Sequence, residues 1–480
     1  MEIQQYNYDR QDIKAGILHI GVGNFHRAHQ AWYANQLLSN NDQQQWGICG
    51  VCMLPGDETI FKNLSAQKLD YTLTVCGRDG NNQVFEIGSV KELLWAPEDA
   101  ETILNKIADQ DIKIITLTIT EGGYNLDKRT NTFMLENAAV ANDLEHPSAP
   151  ATVFGFVAEG LRRRRDNKSG GITILSCDNL QHNGNTARAA FMAFITAQDD
   201  DLAQWAEANV SFPNSMVDRI TPATTLADIE ILNRNSGSND KTPVYCEDFI
   251  QWVIEDNFIA GRPAWETVGV EFTDDVTSFE NMKLSLLNAS HSLLSYPSFL
   301  LGYRKVDEAM ADKDIVQYVR EFMDIDITPN VPAPAGTDLE KYKDTLIERF
   351  ANRSVSDQLS RLCFDGISKF PVYIMPNLAK MIKAGQDLNR LAFLFAAYRH
   401  YLKYQKDDRQ QTFDIAEPWL TEDDHQLITS DDPREFLELS AFKSTQLMGV
   451  NKFVTPYLEY VQSIKNEGTR SALKNILPAH

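Results

Sequence analysis

The sequence lacks any apolar segment that would cross a membrane. No apolar run approaches the roughly 20 residues that a membrane-spanning helix needs. The amino terminus, MEIQQYNYDRQDIKAG, is polar and has no apolar signal-peptide core. We therefore expect a cytoplasmic protein without a membrane attachment.

Cysteine is scarce, with six in 480 residues, and metal-binding spacings are missing. Cys49 and Cys52 form a CxxC, but it lies inside the apolar run WGICGVCML, which is typical of a buried strand. A zinc or redox pair needs a loop or a helix start, and zinc needs a second pair of ligands. The sequence therefore predicts no metal site, and it favours a reducing compartment.

Positively charged residues are fewer than negatively charged ones. The chain has 45 lysines and arginines against 67 aspartates and glutamates, a net charge of -22. This excess of negative charge opposes binding to nucleic acid and to anionic membranes. A neutral small molecule feels no such long-range field, so a small-molecule substrate is compatible with the composition.

What the chain does contain is two halves of different character, as its length suggests. The first half alternates helical patterns with strand-like runs such as GILHIGVG, IKIITLTIT and GITILSC, which is typical of a doubly wound parallel sheet. The later helical runs are predicted at 280–295, 307–323, 338–350, 387–404, 433–447 and 453–466. We predict an α/β fold, with a doubly wound domain of the Rossmann type over residues 1–278 and a mostly α-helical domain over 279–480.

A glycine motif, LHIGVGNFHRAHQ, places Gly21 and Gly23 between a predicted strand and a predicted helix. The first glycine permits a tight turn, and the second lets a pyrophosphate approach the backbone. His26 stands where the usual dinucleotide fingerprint has its third glycine. The motif alone therefore also fits an ordinary turn between strand and helix.

The second predicted strand ends in MLPGDE, and an acid there would bind the adenosine ribose and repel a 2′-phosphate. Asp57 is the first choice and Glu58 the second, which favours NAD over NADP. The rival phosphate anchor is the arginine run 162–165. Its place at a predicted helix end favours a solvated role that suits the helix dipole.

Polar residues also follow two other predicted strands. Glu121 lies in TEGGYN and Asn179 in SCDNLQHNGN, and ligands bind at the carboxyl ends of parallel strands. Each residue also fits plain turn chemistry. Farther along, Arg361 and Asp365 are four residues apart, and a helix salt bridge is the simpler interpretation of that pair.

The segment MKLSLLNASHS combines leucines with Lys283, Asn288 and His291. In an α-helix, Asn288 lies roughly 140° and His291 roughly 80° from Lys283, so all three fit within one half of the surface. They are either unrelated or convergent. Alcohol oxidation needs a base that takes the hydroxyl proton and donors that stabilise the alkoxide. Zinc can supply both, but the sequence has no zinc-binding spacing. A Tyr-x-x-x-Lys pair can also do so, but the match Tyr124/Lys128 follows a strand rather than lying in a helix. A buried lysine base with an amide donor and an imidazole meets the same need.

These motifs together resemble the long-chain polyol dehydrogenases, the mannitol dehydrogenase family. The resemblance covers nearly the whole chain and rests on GVGNFHRAHQ, TEGGYN, SCDNLQHNG, SFPNSMVDRITP, VIEDNFIAGRPAWETVGVEFTDDV, KLSLLNASH and DGISKFP. The stretch FPNSMVDRITP and the spacing K-x4-N-x2-H are highly specific in combination. The family motif usually reads LNGSH, and here Ala289 replaces its glycine, which bears on substrate range rather than on reaction type.

The resemblance implies roles for individual residues. Lys283 would be the general base, with Asn179 and Asn288 as the oxyanion hole and His291 on the reacting hydroxyl. The polyol pocket would contain Asp218, Arg361 and Lys369, and the proton path Glu121 and Glu280. The cofactor residues would be Gly21, Gly23, Asn24, Phe25 and Arg27, with Asp57 setting the preference for NAD. The family fold implies a site in the cleft between the two domains, no metal, and a monomer.

The implied activity is reversible oxidation of D-mannitol to D-fructose with NAD. TEGGYN and SCDNLQHNG are closer to the mannitol branch than to its sugar-acid relatives. Related chemistry stays open, namely oxidation of D-arabinitol or sorbitol, or reduction of a hexuronate such as fructuronate. A nucleotide-binding regulator that has lost the chemistry is a second class. The complete Lys, Asn and His set disfavours it, because a sensor needs no base.

Overall fold

The computed structural model describes residues 2–40, 42–127, 130 and 132–477. The chain divides into two compact units, residues 1–277 and 278–480, called unit 1 and unit 2 below. Unit 1 contains all the strands, and unit 2 is built from helices within the residues that the structure describes. The α/β fold with a largely helical carboxy-terminal part is therefore confirmed.

The strands of unit 1 form three sheets. In chain order they are β1 (Ile3–Gln4), β2 (Ala15–Ile20), β3 (Gly47–Cys52), β4 (Tyr71–Cys76), β5 (Asn82–Ile87), β6 (Val90–Trp95), β7 (Ile114–Leu117), β8 (Ile172–Ser176), β9 (Val210–Ser211), β10 (Ser215–Asp218), β11 (Val244–Glu247), β12 (Gln251–Ile254) and β13 (Glu271–Phe272). The largest sheet has the order β6-β3-β2-β7-β8-β9 and is parallel throughout. The other two sheets have the orders β1-β5-β4-β11 and β10-β12-β13.

The order of the parallel sheet explains where a ligand can bind. The chain builds the sheet outward from β2, first through β3 and β6 on one side and then through β7, β8 and β9 on the other. Its direction of growth reverses between β2 and β7. In open α/β sheets, ligands bind at this switch point, outside the carboxyl ends of the strands.

The strands of this sheet are buried on both faces, which explains their continuous apolar runs. In β7, Ile114 packs into the core on one face and Ile115 into the core on the other. Helices of unit 1 begin at identifiable caps: Thr152 Oγ1 accepts a hydrogen bond from the Gly155 amide at the start of one, and Thr225 forms a capping box with Asp228 at another.

The helices of unit 1 alternate with its strands as the sequence predicts. They are α1 (Asn24–Ala28), α2 (Gln30–Leu37), α3 (Glu58–Ala66), α4 (Ala96–Ala108), α5 (Ala138–Glu145), α6 (Val153–Asn167), α7 (Asn183–Gln198), α8 (Asp200–Asn209), α9 (Leu226–Ser236) and α10 (Val276–Met282), whose last residues belong to unit 2.

Unit 2 continues with helices and three π-helical segments. The α-helices are α11 (Ala289–Leu300), α12 (Val306–Met310), α13 (Lys313–Glu321), α14 (Leu339–Phe350), α15 (Leu359–Cys363), α16 (Gly366–Lys369), α17 (Met375–Ala384), α18 (Asn389–Tyr404), α19 (Glu422–Thr429), α20 (Asn451–Glu467) and α21 (Thr469–Lys474). The π-helical segments are Lys283–Asn288, Phe322–Ile327 and Phe370–Ile374.

One predicted helix, 433–447, is wrong. Two short 3₁₀ turns, Glu435–Glu438 and Ser440–Thr445, occupy most of this stretch. The Asp424 carboxylate accepts hydrogen bonds from the amide and the hydroxyl of Ser440, at 2.8 and 2.9 Å. This tertiary contact starts a new turn where the apolar pattern predicts a continuous helix.

Candidate functional site

The turn between β2 and α1 has the geometry of a dinucleotide-binding loop. Gly21 has a φ of +101°, and a side chain at this position would collide with the carbonyl of Thr118, which follows β7. The Gly23 amide donates to the Gly21 carbonyl at 2.8 Å, and α1 begins at the next residue. Only glycine fits the first position, and the turn lies at the switch point of the sheet.

The third glycine of the fingerprint is replaced by a stacked pair of imidazoles. The His26 ring lies on the His19 ring of β2, with centroids 3.4 Å apart and planes 11° apart. His19 Nε2 lies 3.0 Å from the Gly21 carbonyl, and the Thr118 hydroxyl donates to that carbonyl at 2.6 Å. Burial lowers the pKa of His19 to about 3, so its ring is neutral. Helix and strand are thus held together by ring stacking instead of by close backbone approach.

Three of the predicted cofactor residues follow the glycines on α1. Arg27 is buried, and its guanidinium donates to the Thr242 carbonyl and, at 2.7 Å, to Asn24 Oδ1. Phe25 stacks on His29 with ring centroids 5.0 Å apart. Arg27 and Asn24 therefore have packing roles within unit 1. Their contact with a cofactor stays a prediction.

Asp57 lies beyond β3, at the start of α3. Its carboxylate accepts a hydrogen bond from the Leu54 amide at 2.9 Å, which fixes the turn after the strand. Glu58, the second choice, pairs with Lys62 on the same helix. This geometry leaves Asp57 as the acid that faces back toward the strand end, in keeping with a ribose contact.

The arginine run 162–165 is not solvated as predicted. Arg164 is fully buried and donates to the carbonyls of Asp109 at 2.7 Å, Gly170 at 2.8 Å and Gly171 at 3.0 Å. Arg163 pairs with Glu101. The planar guanidinium of Arg164 donates to carbonyls that follow the ends of α4 and α6. The pattern of charges along one helix does not reveal these contacts.

Glu121 and Asn179 lie at the carboxyl ends of the adjacent strands β7 and β8. Glu121 opens a 3₁₀ turn that ends at Tyr124, and both Glu121 and Asn179 are exposed. The Tyr124 hydroxyl donates to Asp178 at 2.8 Å, and burial raises the pKa of Tyr124 well above its ordinary value. Tyr124 is therefore no base; Lys128, its partner in the sequence pattern, lies outside the described residues. Asp218 is buried at the end of β10.

In unit 2, the segment from Lys283 to Asn288 is a π-helix and not the α-helix that the sequence pattern suggests. The Ala289 amide bonds back to the Leu284 carbonyl, five residues earlier. Residues five apart therefore lie about one turn apart, so Asn288 sits above Lys283 instead of 140° around the helix. Wide turns of this kind occur frequently at functional sites.

Polar atoms without a partner lie on this π-turn and on the first turn of α11. Lys283 is 7% exposed and lies among buried leucines. Asn288 Oδ1 and His291 Nε2 are buried and have no hydrogen-bond partner within the described part of the chain. Leaving such groups unpaired costs about 1–3 kcal/mol each. Both atoms are therefore suited to a polar ligand, and rotation of the amide by 180° would present a donor at the same position.

Several cations surround the imidazole of His291. Burial lowers its pKa well below the ordinary value, and Arg361, Arg349, Lys369 and Lys283 lower it further. The ring is therefore neutral at physiological pH and able to donate one hydrogen bond and accept another. It packs against Phe350 with ring centroids 4.4 Å apart, which fixes its plane.

Arg361 and Lys369 belong to this group of cations, but the predicted pairing of Arg361 with Asp365 is wrong. Arg361 Nε bonds Asp357 at 2.7 Å, four residues earlier instead of four later. The helix α15 ends at Cys363, and Asp365 has a φ of +54°, so the i,i+4 spacing no longer applies. Lys369 donates to the Leu362 carbonyl at 3.0 Å; burial, with Arg361 nearby, lowers its pKa to about 8.

Glu417 is a residue of this region that sequence reasoning missed. Its carboxylate accepts from the amides of Gly366 and Ile367, at 2.9 and 3.0 Å, and from the Tyr398 hydroxyl at 2.9 Å. It thereby caps the helix that carries Lys369. Burial raises its pKa to about 7. No motif surrounds it in the chain, and only the tertiary contact reveals it.

Glu280, the other predicted acid of the proton path, is buried one turn before Lys283 on α10. Among the described residues, no three His, Cys, Asp or Glu side chains converge as a metal site would require. Within the same residues, no helix combines the length and the apolar character needed to span a bilayer.

Comparison with known proteins agrees with this architecture. Residues 15–267 match the mannitol dehydrogenase Rossmann domain, and residues 275–465 match the mannitol dehydrogenase C-terminal domain. A polyol:NADP oxidoreductase from Gluconobacter oxydans is 41% identical over 98% of this chain and 97% of its own.

Two solved structures are similar over almost their whole length. One is a Pseudomonas fluorescens mannitol 2-dehydrogenase in a ternary complex with NAD and D-mannitol, with a TM-score of 0.89 and 40% identity over 99% of this chain and 96% of that one. The other is a substrate-free D-sorbitol dehydrogenase, with a TM-score of 0.91 and 39% identity over 98% and 97%. The chain therefore belongs to the mannitol dehydrogenase family and is a polyol dehydrogenase.

Proposed function

We propose that this protein is an NAD-dependent mannitol 2-dehydrogenase, which oxidises D-mannitol to D-fructose reversibly. The observation that carries the proposal is the π-turn of unit 2. This turn and the start of α11 combine a buried lysine with an unpartnered amide oxygen and an unpartnered imidazole nitrogen. The similar protein from P. fluorescens, whose structure contains NAD and D-mannitol, supports this choice of substrate and cofactor.

In the proposed reaction, Lys283 accepts the proton of the hydroxyl group on C2. Burial in general lowers the pKa of a lysine, and this is how proteins make lysine a base near neutral pH. His291 donates to or accepts from the same hydroxyl and orients it. Asn179 and Asn288 donate to the oxygen as it becomes an alkoxide, an interaction that is stronger in the transition state than in the ground state.

The remaining polar residues have supporting roles. Asp218, Arg361 and Lys369 bind the other hydroxyl groups of the polyol. Glu280, one turn from Lys283, and Glu121 pass the proton on to solvent. Arg361 and Lys369 would also suit a carboxylate substrate, which is why a sugar acid belongs among the substrates to be tested.

The dinucleotide site is proposed at the Gly21–Gly23 turn. NAD, when bound, supplies the acceptor for the hydride that leaves C2 of the polyol. The glycine at φ +101°, the start of a helix at the next residues and the switch point of the sheet suit a pyrophosphate. Asp57 favours NAD, because a carboxylate repels the 2′-phosphate of NADP.

A substrate panel tests the proposal. We expect the highest kcat/KM for D-mannitol with NAD when D-mannitol, D-sorbitol, D-arabinitol and D-mannonate are compared with both NAD and NADP. Turnover of mannonate alone would contradict the proposal, and NAD binding without turnover of any polyol would indicate a sensor.

The second candidate is a sorbitol or general polyol oxidoreductase. It is favoured by the similarity to a D-sorbitol dehydrogenase and to a polyol:NADP oxidoreductase. D-Mannitol and D-sorbitol differ only in configuration at C2. A D57A variant separates the cofactor question from the substrate question. We expect it to gain activity with NADP while its ratio of mannitol to sorbitol turnover stays unchanged.

A further inference from the structure

Asp178 is a buried carboxylate at the carboxyl end of β8, directly before Asn179. It is 8% exposed. Its oxygens accept hydrogen bonds from the Thr120 amide at 2.8 Å, the Ile119 amide at 3.1 Å and the Tyr124 hydroxyl at 2.8 Å. All three donors belong to the segment that leaves β7. One side chain therefore ties together the ends of two neighbouring strands.

The segment that Asp178 holds is strained. Thr120 has a φ of +64°, which is rare for a β-branched residue. Such a conformation persists only where surrounding contacts enforce it. The hydrogen bond from the Thr120 amide to Asp178 is one such contact, and Glu121 is the next residue along the chain. The position of the Glu121 backbone therefore depends on Asp178.

The backbone on the other side of Asp178 is fixed as well. The Asp178 carbonyl accepts from the Leu180 amide at 2.9 Å and from the Asn183 side chain at 3.1 Å. Asn183 is fully buried and also donates to the Ser215 carbonyl at 2.8 Å. Asn179 thus lies in a short turn whose flanking peptides are anchored to the sheet.

The chemistry of a carboxylate suits these three contacts. Burial raises the pKa of Asp178, and within the described residues no lysine or arginine pairs with it. Only a carboxylate accepts from two amides and a hydroxyl without offering a competing donor.

We propose that Asp178 is a positioning residue of the polyol dehydrogenase reaction, which holds Asn179 and Glu121 in the relative placement that the chemistry needs. The inference rests on the roles of these two residues in the proposed function. Asp178 itself acts only through them.

The test is D178N, a change that keeps shape and volume. The amide NH₂ of asparagine would face a backbone N–H, so at least one of the three hydrogen bonds is lost and the turn shifts. We expect kcat for mannitol oxidation to fall about 10-fold or more, since displacements of about 1 Å have effects of this size. The dissociation constant for NAD, titrated by protein fluorescence, should change less than about two-fold, because none of the hydrogen bonds of the Asp178 carboxylate goes to the glycine turn Gly21–Gly23.

D143N is the matched control. Asp143 is fully buried in the same unit and accepts from the amides of Ala151 and Thr152 and from the Thr152 hydroxyl, the same donor set as at Asp178. None of its partners is a candidate site residue. We expect both variants to lower the melting temperature and only D178N to lower kcat. A D178N enzyme with wild-type kcat, or equal losses of kcat in the two variants, overturns the proposal.

Two further measurements keep the test decisive. If D178N does not fold, Y124F removes a single donor to Asp178 and should still lower kcat several-fold; an unchanged kcat would then count against the proposal. Hydrogen–deuterium exchange at the amides of Ile119 and Thr120 should be faster in D178N than in the wild type. This readout does not depend on turnover, so equal exchange in D178N and the wild type overturns the proposed role of Asp178 even if mannitol is oxidised. Failure of the wild type to turn over any polyol contradicts only the proposed function.

Discussion

Lys283 and Lys343 are both buried lysines of unit 2. Carboxylates contact Lys343, whereas Lys283 lies near a group of cations. Lys343 bonds Asp324 and Glu340; burial lowers its pKa, but these two carboxylates outweigh burial and raise it. Lys283 lies among leucines and near His291, whose own pKa reflects a surrounding set of cations. Salt bridges hold the first lysine charged, whereas the second lies beside the unpartnered Asn288 oxygen and is the proposed base.

This difference predicts the outcome of two alanine variants. K283A should lower kcat for mannitol oxidation by about 10³-fold, because general-base catalysis contributes about 10²–10⁴-fold, and should leave the affinity for NAD unchanged. K343A should lower stability and leave kcat unchanged. Steady-state kinetics and urea unfolding of both variants measure these effects. Normal turnover by K283A would show that another group is the base.

At the scale of elements, the π-turn Lys283–Asn288 sets where Asn288 lies relative to Lys283. A π-turn contains one residue more than an α-turn, so deletion of Ala289, directly after the turn, should restore α-helical geometry. Lys283 and Asn288 would stay five residues apart, and Asn288 would move to about 140° around the helix from Lys283. We expect loss of activity by about 10²-fold or more, as for an oxyanion donor that is removed.

A second π-helical segment of unit 2 provides the control. Deletion of the exposed Ile325 from the segment Phe322–Ile327, which contains no candidate residue, should cost stability and preserve turnover. Far-ultraviolet circular dichroism would verify that both deletion variants are folded. Equal activity of the two variants would show that the π-geometry at Lys283 is irrelevant to catalysis.

The helix that carries Lys369 should respond to pH through Glu417. Burial raises the pKa of Glu417 from 4.5 to about 7, so the folded state binds more protons than the unfolded state between these values. The contribution of this group to stability is therefore complete below pH 4.5 and is lost as pH rises through 7.

Urea unfolding at pH 5, 6, 7 and 8 measures this effect. The free energy of unfolding of the wild type, relative to E417Q, should decrease as pH rises across this range, because glutamine does not titrate. E438Q, at an exposed glutamate, is the matched control and should show no such trend relative to the wild type. A constant difference between the wild type and E417Q would contradict the assignment.

For the whole molecule, the net charge of -22 predicts an effect of salt. Self-repulsion among surface carboxylates destabilises the compact state, and salt screens it over a Debye length of about 10 Å at 0.1 M. We expect the melting temperature to rise between low and molar NaCl. A melting temperature that is independent of NaCl would show that the surface charges are already balanced locally.

The sequence predicts the architecture well because the relevant forces are local or periodic. Continuous apolar runs identify β2, β3, β7 and β8, since a strand buried on both faces has no polar face to interrupt the pattern. Five of the six predicted helical runs of unit 2 are confirmed, although all five have different bounds or are divided by other segments. The helix 433–447 is wrong because one distant carboxylate, Asp424, interrupts it.

By itself, the sequence determined that the first part is a doubly wound α/β unit, that helices follow, and which residue types are available for alcohol oxidation, because chain periodicity and motif spacing record these features. Only the tertiary structure decided which partners those residues have. The π-turn at Lys283, the imidazole pair in place of a glycine, the pairing of Arg361 with Asp357, and the clamp at Asp178 depend on packing and on the need to satisfy buried polar groups. Such contacts join segments that are distant in the chain or break its regular period, so spacing along the sequence carries no record of them.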